Sequence, residues 1–294
     1  MKTQIASPKK KRKINITPYA MLLPTIAFFS IFVFWPFIRS IVLSFAITDA
    51  QGNATTWVGL GNYERILGQS NFWKIFDNTF IFAAIVGVGT FSIAMLLAAL
   101  CIEERKGGRI YQTMYAITMA IASAPAAAIG MFIFKQSGLL NQILGTEISW
   151  LTDADTALYA VAALTIWLRI GSSFIFLLVG FRAVPKELLE SAKIDGAGAV
   201  TRFFKIVVPI ASPQIFFVVF LNITGSFKAF GQIKLLTAGG PASASETLIY
   251  SIYKQGILNG RFETACAYSL ILFLCIFLVT RIQLLLEKKL VHYQ

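Results

Sequence analysis

Long apolar stretches dominate the pattern of hydrophobic and polar positions along the chain. Residues 14–38, 79–102, 110–134 and 206–227 each run for more than 20 positions without a charged side chain. A helix needs about 20 such residues to cross a hydrocarbon core of about 30 Å. The pattern therefore predicts a membrane protein that crosses the bilayer several times.

Apolar length and helix breakers together predict six spans. These lie at about residues 18–46, 79–102, 110–134, 157–180, 213–236 and 264–286. The fourth contains Arg169 and the fifth contains Lys228 and Lys234, so these two are assigned from their length and their flanking residues. We expect an all-α membrane protein with one six-helix domain over residues 18–294, preceded by a basic tail over residues 1–17.

Composition agrees with this assignment and changes how the charge is interpreted. Of 294 residues, 56% are hydrophobic and only 14% are charged, whereas a soluble domain carries charge on about a quarter of its residues. The net charge is +12, and the basic run from Lys9 to Lys13 is superficially similar to a nuclear signal. In a membrane protein, however, Lys and Arg mark the cytoplasmic side. We therefore expect membrane lipid, and no nucleic acid, among the partners.

The distribution of basic residues predicts the orientation. With the N-terminus inside, the tail, residues 103–109, residues 181–205 and the C-terminal end hold seventeen basic residues, and the external segments hold five. This asymmetry predicts that both termini are cytoplasmic. An even number of spans is then required, and six satisfies it.

The most informative polar segment joins the fourth and fifth spans. Pro185 suits the first turn of a helix, and Glu187 suits its positive N-terminal end. Gly196 is expected to end that helix in a left-handed conformation. An apolar stripe at roughly helical spacing is formed by Leu188, Leu189, Ala192 and Ile194. From the residues alone, such a helix could cover its stripe on the membrane interface or on another protein.

This segment resembles the "EAA" loop of binding-protein-dependent ABC importer permeases. Glu190-Ser191-Ala192 is followed after three residues by Gly196, and after nine more by Ile206, one residue and Val208-Pro209. Ser191 and Val208 depart conservatively from the family pattern, and its spacing is intact. The resemblance implies that residues of about 181–212 form a coupling helix that binds a groove of an ATPase subunit. The implied coupling residues are Glu187, Leu188, Glu190, Ser191, Ala192, Asp195 and Gly196.

The resemblance extends over nearly the whole chain. The runs from Trp57 to Tyr63 and from Leu236 to Pro241 are similar to the sugar-permease branch, which includes maltose-type and glycerol-3-phosphate-type members. It implies the type I ABC importer permease fold in a bacterial cytoplasmic membrane. The implied function is ATP-driven import of a sugar or sugar-like solute, such as an oligosaccharide, sugar phosphate or glycerol phosphate. The implied partners are a second homologous permease, an extracellular binding protein, and two ATPase subunits that bind ATP and Mg, so that this chain has no cofactor of its own.

The fifth span carries the candidate solute path. Resemblance to maltose-type permeases implies that the residues lining the sugar are Asn222, Gly225, Ser226 and Ala229. Amide, hydroxyl and aromatic groups suit a sugar, because its hydroxyls need hydrogen bonds and its CH faces stack on rings. The complete candidate set is Asn222, Gly225, Ser226, Lys228, Ala229, Phe230 and Gln232. The alternative is ordinary helix–helix packing, where Ser, Gly and Asn also concentrate.

Two cations within the apolar spans require a reason, because an ionised side chain in the bilayer normally faces water or a partner. We hypothesise that Lys228, together with Arg169, makes the path electropositive and favours an anionic solute. In the competing explanation these cations pair with carboxylates or carbonyls of the partner permease. Lys234, near the outer end, is expected to reach the interface with its long side chain.

The sequence lacks the motifs that are typical of other functional classes. The sequence contains no Gly-x-x-x-x-Gly-Lys-[Ser/Thr] loop, so ATP hydrolysis is not expected here. Neither a metal-ligand cluster nor a nucleophile–base pair stands out, and the lone His292 lies in the C-terminal tail, so we expect no metal site and no enzyme. The remaining alternative, a stand-alone secondary transporter or channel, lacks intramembrane carboxylates for ion coupling.

Overall fold

The computed structural model of the protein describes residues 17–103 and 106–291. The predicted basic tail, apart from its last residue, lies outside this described part, as does the C-terminal segment 292–294 with His292. Within the described ranges, four helical segments are long and apolar enough to cross a membrane: Met21–Ser44, Ser70–Leu100, Ala157–Arg182 and Phe262–Lys289. Two bent helix pairs bring the number to six, when each pair counts as one span: Gly108–Ala120 with Ser123–Leu144, and Ala199–Ile210 with Ser212–Ser226.

The first half of the chain contains the first three spans and a small hairpin. Helices α1 (Thr17–Phe29) and α2 (Trp35–Ser44) are joined by a π-helical turn, Ser30–Phe34, into one continuous span. Strands β1 (Ala46–Thr48) and β2 (Ala54–Trp57) follow as an antiparallel pair. Next come α3 (Gly61–Leu67), α4 (Ser70–Leu100), α5 (Gly108–Ala116), a 3₁₀ turn at Ile117–Ala120, α6 (Ser123–Phe134) and α7 (Leu139–Leu144).

The second half contains the connecting loop and the remaining spans. Helix α8 (Ala157–Arg182) is followed by α9 (Lys186–Ile194), α10 (Ala199–Arg202), a π-helical turn at Phe203–Val207 and α11 (Val208–Ile210). Then come α12 (Ser212–Ser226), α13 (Gly231–Leu236), α14 (Leu248–Tyr253), a π-helical turn at Lys254–Leu258 and α15 (Phe262–Leu290). We call the end of the bundle with residues 181–212 the loop end, and the end with β1 and β2 the hairpin end.

Helices α4 and α8 form the centre of the bundle and run in the same direction. Near the hairpin end Phe82 packs in one buried cluster with Val161, and near the loop end Ala98 packs in another with Phe181. Small residues allow the close approach that drives helix association in a membrane. At Gly89, for example, a Cβ would lie 2.6 Å from the Cδ1 atom of Ile166.

The third span is broken, whereas the sequence predicted one straight helix over residues 110–134. Its two parts meet at an angle of 104° around Ile121 and Ala122. A tertiary contact accompanies the break: the Thr118 hydroxyl accepts a hydrogen bond of 3.1 Å from the Gly171 amide of α8. A Cβ on Gly171 would lie only 2.5 Å from that hydroxyl, so glycine is needed for the approach.

The predicted fifth span, residues 213–236, is also not one helix. Helix α12 ends at Ser226, residues 227–230 form a turn, and α13 begins at Gly231. Gly225 and Gly231 flank the break, and glycine weakens a helix by about 1 kcal/mol relative to alanine. Asn222 and Ile233 therefore do not share one helical face, because the break places them on two separate helices. Before α12 the chain bends by 77° between Ile210 and Ser212.

The hairpin end holds the long polar segment that the sequence places between the first two spans. The buried Asn62 amide of α3 donates to the carbonyls of Ser44 at 2.9 Å and Ala46 at 2.8 Å. The first span is therefore fixed to α3 where it leaves the bundle. Toward its N-terminus this span is exposed. Its most apolar stretch, within Met21–Ser44, contains no residue that is buried against the described chain.

Candidate functional site

Helix α9 lies at the loop end and contains most of the predicted coupling residues. It begins at Lys186, directly after Pro185, whose φ of −57° already suits a helix start. Pro185 is thus the residue before the helix, one position earlier than predicted. Glu187 lies in the first turn, as predicted, where a carboxylate interacts favourably with the positive end of the helix dipole.

The end of α9 is a tight turn at Gly196. This residue has a φ of +81°, which confirms the predicted left-handed conformation. The Ala197 amide donates to the Ala192 carbonyl at 2.9 Å, and the Gly196 amide donates to the Lys193 carbonyl at 3.1 Å. This pair of bonds is the Schellman motif, which satisfies carbonyls that the helix end leaves free.

The apolar residues of α9 are divided between two faces. Leu189 packs against the buried cluster at the loop end, whereas Leu188 is 46% exposed and Ile194 is 86% exposed. The predicted single stripe is therefore wrong, because Leu189 points into the bundle. Glu190, Ser191, Asp195 and Gly196 are also exposed, so α9 presents a mixed apolar and polar surface away from the chain.

The loop is attached to the bundle on both sides of α9. The Arg182 guanidinium donates to the Cys101 carbonyl at 2.9 Å, which links the ends of α8 and α4. Beyond α9, the Phe203 ring packs edge-on against Phe181 with ring centroids 5.5 Å apart. The segment continues helically through Pro209 and ends at Ala211. A groove of about 920 Å³ opens between this loop and the ends of α4 and α8.

A second candidate site is a cavity of about 240 Å³ at the breaks in the third and fifth spans. It lies beside the middle of α8, which contributes Thr165 and Arg169. Five of the seven predicted path residues line it. The full lining is Ser123, Thr165, Arg169, Gly225, Lys228, Ala229, Phe230, Gly231 and Gln232.

The other two predicted path residues do not line this cavity. Asn222 is only 3% exposed, and its amide donates to the Ser173 hydroxyl at 2.9 Å. Ser226 is also buried, and its hydroxyl donates to the Asn222 carbonyl at 2.6 Å. Asn222 therefore packs α12 against α8, which is the alternative that sequence reasoning kept open, whereas the Ser226 hydroxyl is bonded within α12.

Arg169 is held across α12 at the cavity. Its guanidinium donates to the Leu221 carbonyl at 3.2 Å and passes directly over Gly225, where an added Cβ would collide with it. Its Nε atom is buried and has no hydrogen-bond partner among the described residues. Lys228, on the turn after α12, is exposed. The described residues lining the cavity therefore supply two cations and no carboxylate.

Sequence reasoning missed Ser123, Thr165 and Gly231 as lining residues. Ser123 is the first residue of α6, and one signal for this helix start was available. Pro125 lies inside an otherwise continuous apolar run, and proline is tolerated in a first turn but not in a helix interior. Thr165 and Gly231 gave no comparable local signal, because only the folded bundle brings them to the cavity.

Glu246 forms an unexpected buried network at the hairpin end. It is 2% exposed and accepts hydrogen bonds from Ser243 at 2.8 Å and Ser251 at 2.7 Å. Lys254 completes the network with an ion pair of 2.8 Å. The nearby Asn78 amide of α4 donates to the Ser243 carbonyl at 2.9 Å. These contacts fix the loop between α13 and α14 against α4.

Comparison with known proteins decides the family. Residues 91–292 match the model of the binding-protein-dependent transport system inner membrane component. The chain belongs to this family. The match confirms the predicted permease subunit over both the enzyme and the stand-alone transporter, and it makes the chain a multi-pass component of a bacterial inner membrane.

The sequences of curated relatives align with this permease over almost its full length. The sn-glycerol-3-phosphate transport system permease protein of Agrobacterium fabrum is 35% identical over 284 residues, covering 95% of this chain and 97% of the relative. The protein of the same name from Yersinia pestis is 35% identical over 283 residues, covering 94% of this chain and 96% of the relative.

Solved structures confirm the fold. A chain from a bacterial ABC transporter that imports the acidic polysaccharide alginate matches with a TM-score of 0.83 and 22% identity, over 94% of this permease and 96% of that chain. A chain from the alginate transporter in complex with a pentasaccharide-bound periplasmic protein matches with a TM-score of 0.81 and 22% identity, over 93% and 94%. The predicted ABC importer permease fold is therefore correct.

Proposed function

We propose that this permease carries a sugar-like solute through a path that it shares with a second, homologous permease. The relatives named for sn-glycerol 3-phosphate make that compound the first solute to test. The observation that carries the proposal is the exposed helix α9, which ends in a left-handed turn at Gly196 and has no buried residue within this chain. An exposed helix with a well-defined end suits the binding of a partner subunit that moves.

Helix α9 is proposed to bind an ATPase subunit. Leu188 and Ile194 supply apolar contacts, and Glu190, Ser191 and Asp195 supply polar ones, while Glu187, Ala192 and Gly196 define the start, packing and end of the helix. ATP and Mg²⁺ bind to two such ATPase subunits and not to this chain. When ATP closes the ATPase pair, α9 moves with it, and the bundle changes between inward-facing and outward-facing arrangements.

The exposed first span supports the second permease as a partner. Met21, Phe32 and Trp35 are each more than half exposed, and an apolar span in a membrane is covered by lipid or by another helix. The periplasmic protein in the alginate complex supports delivery of the solute by an extracellular binding protein. Such a protein would approach the hairpin end.

The proposed orientation places the loop end and both termini in the cytoplasm. The excess of basic residues in the segments assigned to that side supports it. The contact of Arg182 with the Cys101 carbonyl supports it further, since it brings the end of the second span to residues 181–205, so that two of the predicted cytoplasmic segments begin at the same end of the bundle. A single-cysteine label placed near either terminus would react only from the cytoplasmic side if this orientation is correct.

Reconstituted transport tests the proposed function. The permease, purified with its co-expressed partners, is placed in proteoliposomes with the cognate binding protein and radiolabelled sn-glycerol 3-phosphate. We expect uptake that requires ATP and Mg²⁺ and stops when the binding protein is omitted. Uptake that persists without ATP would refute the coupling proposal. ATP hydrolysis stimulated by the binding protein, without uptake of this compound, would refute the solute and leave the coupling intact.

A further inference from the structure

The cavity at the two broken spans combines features that suit a small anion. Arg169 and Lys228 both line it, and no carboxylate does so within the described ranges. An uncompensated cation near the middle of a bilayer is unfavourable, and such residues mark binding sites or pathways. Neither of these two side chains forms an ion pair inside the described part of the chain.

We propose that this cavity binds the phosphate group of a phosphorylated polyol, with Arg169 as the main specificity-determining residue and Lys228 as the second cation. The proposal rests on the proposed function, because it assigns a chemical class to the solute that the permease carries. Arg169 suits the role because a guanidinium presents a planar fork of donors that matches phosphate oxygens.

The environment of Arg169 is built to hold the guanidinium in one place. The hydrogen bond to the Leu221 carbonyl uses one terminal nitrogen, and Gly225 leaves the space through which the side chain passes. The buried Nε atom remains without a protein partner among the described residues. A buried donor without a partner is unfavourable, so a rearrangement that brought this donor to a ligand oxygen would increase affinity.

The broken third span adds a favourable dipole. Helix α6 has twelve residues and starts at Ser123, which lines the cavity. The N-terminus of a helix carries a partial positive charge and free amide groups that favour an anion. Discontinuous membrane helices in other transporters present their N-termini to anionic substrates in the same way. The hydroxyl of Ser123 and the amide of Gln232 are available to the polyol part of the solute.

Charge-selective thiol labelling tests this site even while the natural solute is unidentified. Cys101, Cys266 and Cys275 are replaced by Ser, and Gln232→Cys or Ser123→Cys introduces one thiol at the cavity. The assembled transporter in proteoliposomes is treated with an anionic or a cationic methanethiosulfonate, with and without a non-hydrolysable ATP analogue. We expect the anionic reagent to be preferred by about tenfold, relative to the same reagents on a small free thiol, which corresponds to about 1.4 kcal/mol.

Neutralising variants identify the source of that preference. Arg169→Gln and Lys228→Gln should each reduce it several-fold, whereas the matched control Lys234→Gln should leave it unchanged. Lys234 is close in sequence, but its ammonium lies over the rings of Tyr253 at 4.4 Å and Phe230 at 5.7 Å, and Lys234 itself does not line the cavity. If Arg169→Gln does not assemble, Arg169→Lys replaces it, and we then expect retained charge preference with weaker protection by ligand.

Protection by ligand completes the experiment. sn-Glycerol 3-phosphate should slow labelling of the cavity thiol at concentrations where glycerol has no effect. Equal reactivity of the two reagents, equal protection by glycerol, or the absence of labelling at both cysteine positions in both nucleotide states would each overturn the proposal. Charge preference measured in a complex that shows no ATP-dependent uptake would support this site while the proposed function failed, so the two failures are distinguishable.

Discussion

The guanidinium of Arg169 passes directly over Gly225, so that any side chain at position 225 would collide with it. The two residues belong to neighbouring helices and lie 56 positions apart in the sequence. Their contact determines where the cation of α8 meets the break in the fifth span. Gly225, predicted as a path residue by resemblance to maltose-type permeases, therefore affects the cavity by leaving space for Arg169.

Replacing Gly225 by Ala should displace Arg169 and strain the α8–α12 interface. Overpacking of this kind costs about 1–3 kcal/mol, so we expect a lower thermal midpoint of the purified complex and a large loss of solute uptake. The double variant Gly225→Ala with Arg169→Ala should recover the midpoint but not the uptake. Gly61→Ala is the control, because its Cβ would make an ordinary contact of 3.6 Å with Val58. An unchanged midpoint in Gly225→Ala would contradict the described contact.

The turn at Gly196 should be sensitive to any side chain for a backbone reason alone. No atom lies within 4 Å of a Cβ added there, but the φ of +81° costs an L-residue about 1–2 kcal/mol. We expect Gly196→Ala to reduce uptake and to uncouple ATP hydrolysis from it, with membrane insertion intact.

Gly198 supplies a matched control for this variant. It lies two residues on, also has open space around its Cβ, and has a φ of −65° that any residue adopts. Gly198→Ala should therefore transport normally. Equal effects of the two substitutions on coupled uptake would show that the left-handed conformation of Gly196 is not the cause of the loss.

The two faces of α9 should respond differently to substitution. Leu189→Ala removes packing against the buried cluster at the loop end, and we expect a loss of stability of about 1–3 kcal/mol. Ile194→Ser changes a residue that is 86% exposed, so it should leave the thermal midpoint of the isolated permease unchanged and reduce the amount of ATPase that co-purifies. If Leu189→Ala instead reduced the amount of co-purifying ATPase and Ile194→Ser reduced the thermal midpoint, Ile194 and not Leu189 would face the bundle.

The Glu246 network should stabilise the hairpin end. Glu246→Ala leaves Lys254 and two hydroxyl groups without their acceptor, and breaking a buried pair in this way is strongly destabilising, by about 3 kcal/mol or more. Lys254 is 38% exposed on its side chain, so water reduces this loss. Glu246→Gln should be milder, because the amide oxygen still accepts a hydroxyl hydrogen bond. Thermal unfolding of the three proteins should rank wild type, Gln and Ala in falling order, and an Ala variant as stable as wild type would rule out the network as a support.

The number of spans and the turn at Gly196 could be predicted from the sequence because both depend on local properties. Helices α4, α8 and α15 are continuous apolar segments of sufficient length. Gly196 follows an amphipathic helix, and glycine is the residue that adopts a left-handed conformation without strain. The family pattern in the same loop then indicated the function.

The breaks in the third and fifth spans had only weak local signals, Pro125 in the third span and Gly225 with Gly231 in the fifth. Residues 110–134 form one uncharged run, and the contact of Thr118 with Gly171, 53 positions away, exists only in the folded bundle. Likewise, nothing local distinguishes Asn222 as a packing residue, because its partner Ser173 belongs to another helix. A pattern that measures hydrophobicity along one helix contains no information about which residues of other helices it meets.

Coupling of ATP hydrolysis to transport depends most on α9 as the surface that binds the ATPase subunit. A photo-crosslinking amino acid at position 194, where the native Ile side chain is 86% exposed, tests this in intact membranes, with the same label at Leu189 as the inward-facing control. We predict that illumination joins the label at position 194 to an ATPase subunit, identified by mass, and that the yield changes when ATP is added. Crosslinks from position 194 to lipid alone, with or without ATP, would contradict the account.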